Sequence, residues 1–272
     1  MKEHGNMSGT PDTELMISVI MPAFCAESTI EQAIQSVLMQ THQKFELIIV
    51  NDASADQTLR IAQEYARKDA RIRVLNNPVN LGVANSRNRG VDVAKAGWIA
   101  FLDSDDMWHP RKLERQSQLV LSHPECPICF TGAAYVDESG SPYRYVLRVP
   151  SRLTARELLK QNLISCSSVL VQKEALQAYP MINDPLIHED LATWLNILGH
   201  NGYAIGIDEP LLIYRLSGNS KSGNKFRAAQ MQWRTYRVMG LNCLTAAACF
   251  GVYAWRNIKK YTLIQNSRDR KV

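Results

Sequence analysis

Four short apolar runs, Ile17 to Met21, Phe45 to Val50, Ile72 to Leu75 and Trp98 to Leu102, alternate with stretches of helical character. Between the first two runs, Ile30, Ala33, Ile34, Val37 and Leu38 recur every three or four positions, with Ser28 placed to cap that helix. Thr58 to Ala70 and Val83 to Ala94 repeat the pattern. Runs this short and continuously apolar read as strands covered on both faces, and strand–helix alternation is the mark of βαβ units. The chain is therefore expected to be α/β, with a mostly parallel central sheet flanked by helices.

That architecture decides where polar residues matter. Open α/β sheets bind ligands in the crevice at the carboxyl ends of their strands. Pro22-Ala23-Phe24 follows the first strand, which Pro22 is expected to stop. Asn51-Asp52-Ala53-Ser54 follows the second, and Asp103-Ser104-Asp105-Asp106 the fourth. Three carboxylates within four residues repel one another, so folding keeps them together mainly where a cation neutralises them. A solvated acidic turn ahead of a helix begun by Pro110 is the plainer alternative. Asp52 alone suits a turn or a helix cap; in the crevice it could accept from a nucleobase N–H.

The second half is less regular. Strands are expected at Cys126 to Ala134, Ser168 to Val171, Tyr203 to Ile207 and Leu211 to Tyr214, and helices at Leu153 to Leu163 and Asp190 to His200. Residues 1–14 read as a polar leader without the apolar core of a signal peptide. Residues 15–107 and 108–225 form two halves of one domain, and 226–272 a basic helical tail. Six cysteines lack framework or zinc-site spacing and read as free thiols, buried at Cys126 and Cys129.

Charge is unevenly spread. Of 31 Lys/Arg and 26 Asp/Glu in the chain, 12 and one lie between Arg215 and Val272, making that region +11 and the preceding 214 residues −6. Val238 to Trp255 is apolar, but Gly240, Asn242, Thr245 and its alanines make it a poor spanning helix. It is either a packed terminal helix or an interfacial helix on an anionic leaflet. No nucleic-acid recognition module accompanies the basic region, and no nucleic-acid partner is expected.

The motifs, taken in order, resemble those of family 2 glycosyltransferases of the GT-A fold. The resemblance rests on Val19 to Phe24, Glu46 to Thr58, Asn80 to Asn88, Phe101 to Asp106, His188-Glu189-Asp190 and Tyr214-Arg215 with Asn219-Ser220. It covers residues 16 to about 225 and is closest in kind to short bacterial enzymes that build surface polysaccharides such as O-antigen. Ala53-Ser54 stands where the family commonly has Gly-Ser. The Gln-x-x-Arg-Trp motif of processive members is absent, since Gln230 is followed by Trp233-Arg234, so one sugar per encounter is expected.

The resemblance implies a nucleotide-sugar donor, a UDP-hexose above all, and a Rossmann-like pocket to hold it. Pro22, Ala23, Phe24 and Asp52 would contact the base, with Asp103 and Ser104 near the ribose. Asp105, with Asp103 and Asp106, would hold Mn²⁺ or Mg²⁺, a hard cation suited to carboxylates plus diphosphate oxygens. Asp190 would be the base of an inverting transfer, and Glu189 its supporting group. Arg87 is either a surface charge or a donor contact, and Arg215, Ser220 and Lys221 could close over the diphosphate. Trp194 is expected in the core, and His109 packed locally. The acceptor would be a polyprenyl-diphosphate-linked saccharide, which places the enzyme in the cytoplasm, peripheral on the inner membrane face through 226–272. Two rivals remain: a sugar-1-phosphate nucleotidylyltransferase, which lacks its glycine-rich loop here, and a non-catalytic sugar-nucleotide-binding subunit.

Overall fold

The computed structural model describes residues 14–199, 202–216 and 225–267. Residues 1–13 of the leader expected at 1–14, the loop residues Asn219, Ser220 and Lys221, and the last basic residues from 268 onward lie outside them. The first half runs as expected: β1 (Ile17–Ala23), α1 (Ile30–Leu38), β2 (Phe45–Asn51), α2 (Thr58–Lys68), β3 (Ile72–Asn76), α3 (Val83–Val93) and β4 (Trp98–Phe101). β1 pairs in parallel with β2 and β4, and β2 with β3. Every residue of β1 and β2 is buried, which explains their unbroken apolar sequence.

Pro22 does not stop β1. The Ile20 carbonyl accepts from the Leu102 N–H, so alternate residues of β1 face β4, and Pro22 falls beyond the last β4 pairing. No ladder bond is lost there to its missing N–H. Nor does Ser28 cap α1. The helix follows Thr29 without a side-chain cap, and the turn before it is held from outside by Thr58 Oγ1, which accepts the Ala26 N–H at 2.8 Å.

The second half is a set of short strands added to the same sheet. It contains β5 (Met107–Trp108), α4 (Lys112–Ser122), β6 (Ile128–Val136), β7 (Pro142–Leu147), β8 (Arg152–Thr154), α5 (Ala155–Leu158) and a 3-10 turn at Cys166–Ser168. β9 (Leu170–Gln172), α6 (Lys173–Ala178), α7 (Glu189–Leu198) and β10 (Tyr203–Arg215) follow. The sheet order is β3-β2-β1-β4-β9-β6-β10-β5, with β7 on β6 and β8 on β10. β9 is antiparallel to both β4 and β6, so it joins a parallel nucleotide-type half to a mixed half. The helix expected over Leu153 to Leu163 is one capped turn, closed by Thr154 and Glu157. The two strands expected around Pro210 are one, carried past the proline by register shifts opposite β6.

The tail folds as α8 (Lys225–Val238) and α9 (Cys243–Asn266). The apolar run expected as one helix from Val238 is broken by Gly240, at φ +77°, and restarted by Asn242, whose side chain accepts the Thr245 N–H. The far end of α9 is tied to β7, where Arg144 and Tyr145 N–H groups donate to Ser267 at 3.1 Å. Leu244, Trp255 and Ile258 remain exposed. Among the described residues no helix is long and apolar enough to cross a membrane.

Candidate active site

The crevice begins where β1 and β2 end. Ala23 is buried, whereas Phe24 is 53% exposed and presents its ring at the mouth. The loops after the two strands are stitched together: Glu27 N–H donates to Asp56 Oδ2 at 3.1 Å, and Gln57 N–H to Glu27 Oε2 at 2.9 Å. Ala53 sits at φ +58°, a left-handed conformation that disfavours a Cβ by about 1–2 kcal/mol. That is why glycine suits this position in related sequences.

Asp52 is buried and accepts three hydrogen bonds from the protein. Asn77 Nδ2 donates to Oδ1 at 2.6 Å, the Leu81 N–H to Oδ1 at 2.9 Å, and the Gly82 N–H to Oδ2 at 2.9 Å. Asp52 therefore fixes the turn that launches α3 as well as the floor of the crevice. Gly82 is required in that turn. Its φ is +85°, and an added Cβ would lie 3.0 Å from Asn183 Oδ1.

The crowding of carboxylates after β4 is resolved by giving each a different environment. Asp103 pairs with Arg87, Nη2 to Oδ1 at 2.5 Å, and its N–H donates to Ser167 Oγ at 3.1 Å. Asp106 is only 2% exposed, and its Oδ1 accepts the Arg215 N–H at 3.0 Å. Burial, reinforced by Asp105 and Asp103, pushes the Asp106 carboxyl well above its ordinary range, and its bond to the Arg215 N–H clasps the loop to β10. Asp105 is half-buried, and burial with the Asp103 charge lifts it to about 6. It is neither fully buried like Asp106 nor paired with Arg87 like Asp103, which suits it to a cation. Ser104 lies half-buried in the turn between them.

Arg215 is drawn into this scaffold. Its Nε donates to the Asp105 carbonyl at 3.0 Å, Nη1 to the Glu138 carbonyl at 3.0 Å, and Nη2 to Gln32 Oε1 at 2.7 Å. The guanidinium expected over a diphosphate instead binds the acidic loop, the turn after β6 and α1 together. Arg87 is likewise no surface charge. It is 4% exposed and its second nitrogen, Nη1, reaches Glu189 Oε1 at 3.2 Å. One guanidinium thus spans the acidic loop and the first turn of α7.

Glu189 and Asp190 open α7, where the helix dipole favours acids. Asp190 is half-buried, and burial together with the neighbouring Glu189 charge raises its carboxyl above the ordinary range. A second link holds this segment against α3. Asn88 Nδ2 donates to the Met181 carbonyl at 2.8 Å, and Met181 N–H returns a bond to Asn88 Oδ1 at 3.0 Å. Asn88, Ser167 and Gln32 are supporting residues to which sequence reasoning assigned no role; only Asn88 carried a local signal, its place beside Arg87. Trp194 is fully buried against Phe101 and belongs to the core, and His109 packs locally, its Nδ1 accepting from the Arg111 N–H. Cys126 and Cys129 are buried free thiols as expected, but Cys25 and Cys243 are exposed.

Residues 18–178 match the profile described as Glycosyl transferase family 2. The chain belongs to that family. As a glycosyltransferase it is 38% identical over 246 residues to a putative teichuronic acid biosynthesis glycosyltransferase, TuaG of Bacillus subtilis, spanning 90% of this chain and 97% of that one. It is 35% identical over 222 residues to WfgD of Escherichia coli, a UDP-Glc:alpha-D-GlcNAc-diphosphoundecaprenol beta-1,3-glucosyltransferase, covering 81% and 85% of the two chains. Among solved structures, S. aureus TarS (residues 1–349) with UDP-GlcNAc superposes with TM-score 0.68 at 17% identity, over 87% of this chain and 70% of that one. A Pyrobaculum calidifontis mannosyltransferase with GDP-Man and Mn²⁺ gives 0.69 at 14% identity, over 94% and 74%. These likenesses carry the GT-A fold for this glycosyltransferase. Family membership sets aside the nucleotidylyltransferase and the non-catalytic subunit.

Proposed function

We propose that this glycosyltransferase moves a hexose, with inversion, from a UDP-sugar to a lipid-linked saccharide during bacterial surface-polysaccharide synthesis. The observation that carries the reading is the Arg87 bridge, which sets a raised-pKa carboxyl, Asp190, on the helix facing the acidic loop. A donor base lies between Phe24 and the segment braced by Asp52, its ribose beside Asp103 and Ser104. The acceptor hydroxyl gives its proton to the Asp190 carboxylate as its oxygen attacks the anomeric carbon. The bond from that carbon to the diphosphate oxygen breaks, and the nucleoside diphosphate leaves with the electron pair.

The donor set fits a hard divalent cation. Asp105 and Asp103 offer carboxylate oxygens, and among the described residues no three His, Cys, Asp or Glu side chains form a cage, so a cation there would share the donor's diphosphate. Mg²⁺ or Mn²⁺ on Asp105, when bound, would stabilise charge on the departing diphosphate. Asp106, expected with Asp105 and Asp103, is buried with its Oδ1 on the Arg215 N–H, which turns it toward β10. Asp105→Ala is expected to remove the Mn²⁺-dependent part of UDP binding and to lower turnover at least about 100-fold, on the scale of lost transition-state electrostatics. Unchanged Mn²⁺-stimulated UDP binding by calorimetry in Asp105→Ala would falsify the metal assignment.

The lipid-linked acceptor implies work at the cytoplasmic face of the membrane. Helices α8 and α9 carry seven Lys/Arg and no acid, which suits an anionic leaflet. Vesicles containing phosphatidylglycerol are expected to co-sediment the protein, and 0.5 M salt to release roughly all of it as the Debye length contracts. Equal retention on neutral vesicles would remove the electrostatic reading.

A further inference from the structure

A groove away from the donor crevice lies between α8, α9 and the loop that leads into α7. It has a volume of about 610 Å³, within the size range of ligand pockets. Leu186, Phe226, Trp233 and Phe250 form its apolar walls, and Arg227 and Arg234 add cationic heads. Trp233 and Phe250 meet edge to face with centroids 6.0 Å apart, and Phe226 is 74% exposed. An aromatic surface this open is costly in water unless something covers it.

We propose that this groove binds the first isoprene units of a polyprenyl-diphosphate carrier, so that it is the lipid subsite for the acceptor. The inference rests on the lipid-linked acceptor reading above. Two observations select this occupant. The groove pairs apolar walls with arginines on helices that carry no acid, the complement of a hydrocarbon attached to a diphosphate. It also abuts the loop that leads to Glu189 and Asp190 through Leu186 in its wall, and that loop is fixed to the buried side of α8, where His188 N–H donates to Thr235 Oγ1 at 2.9 Å and the His188 ring contacts the Ala228 carbonyl at 3.3 Å. Thr235 and Ala228 belong to α8, and His188 directly precedes Glu189 and Asp190. A carrier seated in the groove is therefore held by the same loop that leads into the base segment. Arg234, paired with Asp184 at 3.2 Å, is held at the groove by the same loop.

Calorimetry on the full chain with farnesyl diphosphate, inorganic diphosphate and farnesol tests this. Farnesyl diphosphate is expected to bind at least about tenfold more tightly than either fragment, since hydrocarbon burial and charge pairing add. Phe226→Asp, at an exposed site, and Ala229→Trp, which fills the groove, should each weaken it about tenfold while leaving UDP binding unchanged. Equal affinities for the three probes, or no effect of either variant, overturns the proposal. It also fails if Phe226→Asp releases the protein from phosphatidylglycerol vesicles yet keeps farnesyl diphosphate affinity, because the groove then serves bulk lipid. Wild-type dimers that Phe226→Asp separates in sedimentation would assign the groove to a second copy. Farnesyl diphosphate binding without transfer to any lipid-linked saccharide would instead sink the functional reading and leave the groove standing.

Discussion

Asp190→Asn is expected to lower kcat by about 100-fold to 10,000-fold, the range for loss of a positioned general base, while UDP binding stays within about twofold of wild type. Asparagine keeps the size and can still accept at the Leu191 N–H, which lies 2.7 Å from Oδ1 in the native chain. What it loses is the capacity to take a proton. The same substitution should raise the melting temperature. A carboxyl raised above its unfolded value binds a proton more readily folded than unfolded, so at neutral pH it subtracts from stability, and that penalty fades as pH falls through the raised value. Removing the charge removes the penalty. In the wild type, kcat/KM should fall as pH drops through this elevated value, because only the ionised base works. Glu189→Gln should move that acid limb downward, since the adjacent negative charge is one cause of the elevation. An Asp190→Asn enzyme with full transfer activity, or an acid limb that Glu189→Gln leaves in place, would transfer the base role elsewhere.

How much of this was legible in the chain depends on whether the signal is local. The β1–β4 half could be read because β1, β2 and β4 are buried on both faces, β3 at the sheet edge keeps an apolar run, and each helix repeats its apolar spacing. The mixed half could not. β7 and β8 are short, edge-like and half exposed, so Tyr143-Arg144-Tyr145 shows no core-facing run. Asp208-Glu209-Pro210 reads as a break, and only pairing with β6 shows that the strand continues through it. Lys112 shows the same limit more sharply. It begins α4 as an ordinary surface lysine would, yet it is fully buried over the Trp108 ring at 4.0 Å, and burial lowers it to about 7. In the site, Asp52, Asp105 and Asp190 could be picked out by their place after strands or at a helix start. Their partners could not. Asn77 and Gly82 lie 25 and 30 residues from Asp52, and Gln32 lies 183 residues from Arg215, distances over which no sequence period survives.

Arg87 is the extreme of that non-locality, and its removal should have the largest effect on stability. Arg87→Ala leaves Glu189 buried and Asp103 half-buried without their shared cation, and breaking a buried pair from one side costs about 3–5 kcal/mol. Urea unfolding should show this as a lower midpoint at unchanged slope. Arg87→Lys keeps the charge but cannot reach two carboxylates with one planar fork, so an intermediate loss is expected. The informative variant pairs Arg87→Met with Glu189→Met. This removes the buried charge pair and leaves only Asp103, whose side chain is 31% exposed, without its cation, so much of the lost stability should return. Transfer activity should not return with it. The bridge then matters less for holding the fold than for fixing the start of α7 against the acidic loop, and with it the distance from base to leaving group on which an aligned displacement depends. Recovery of both stability and turnover in the double variant would mean that α6, α7 and the Asn88–Met181 bonds already set that distance, and that Arg87 only neutralises charge.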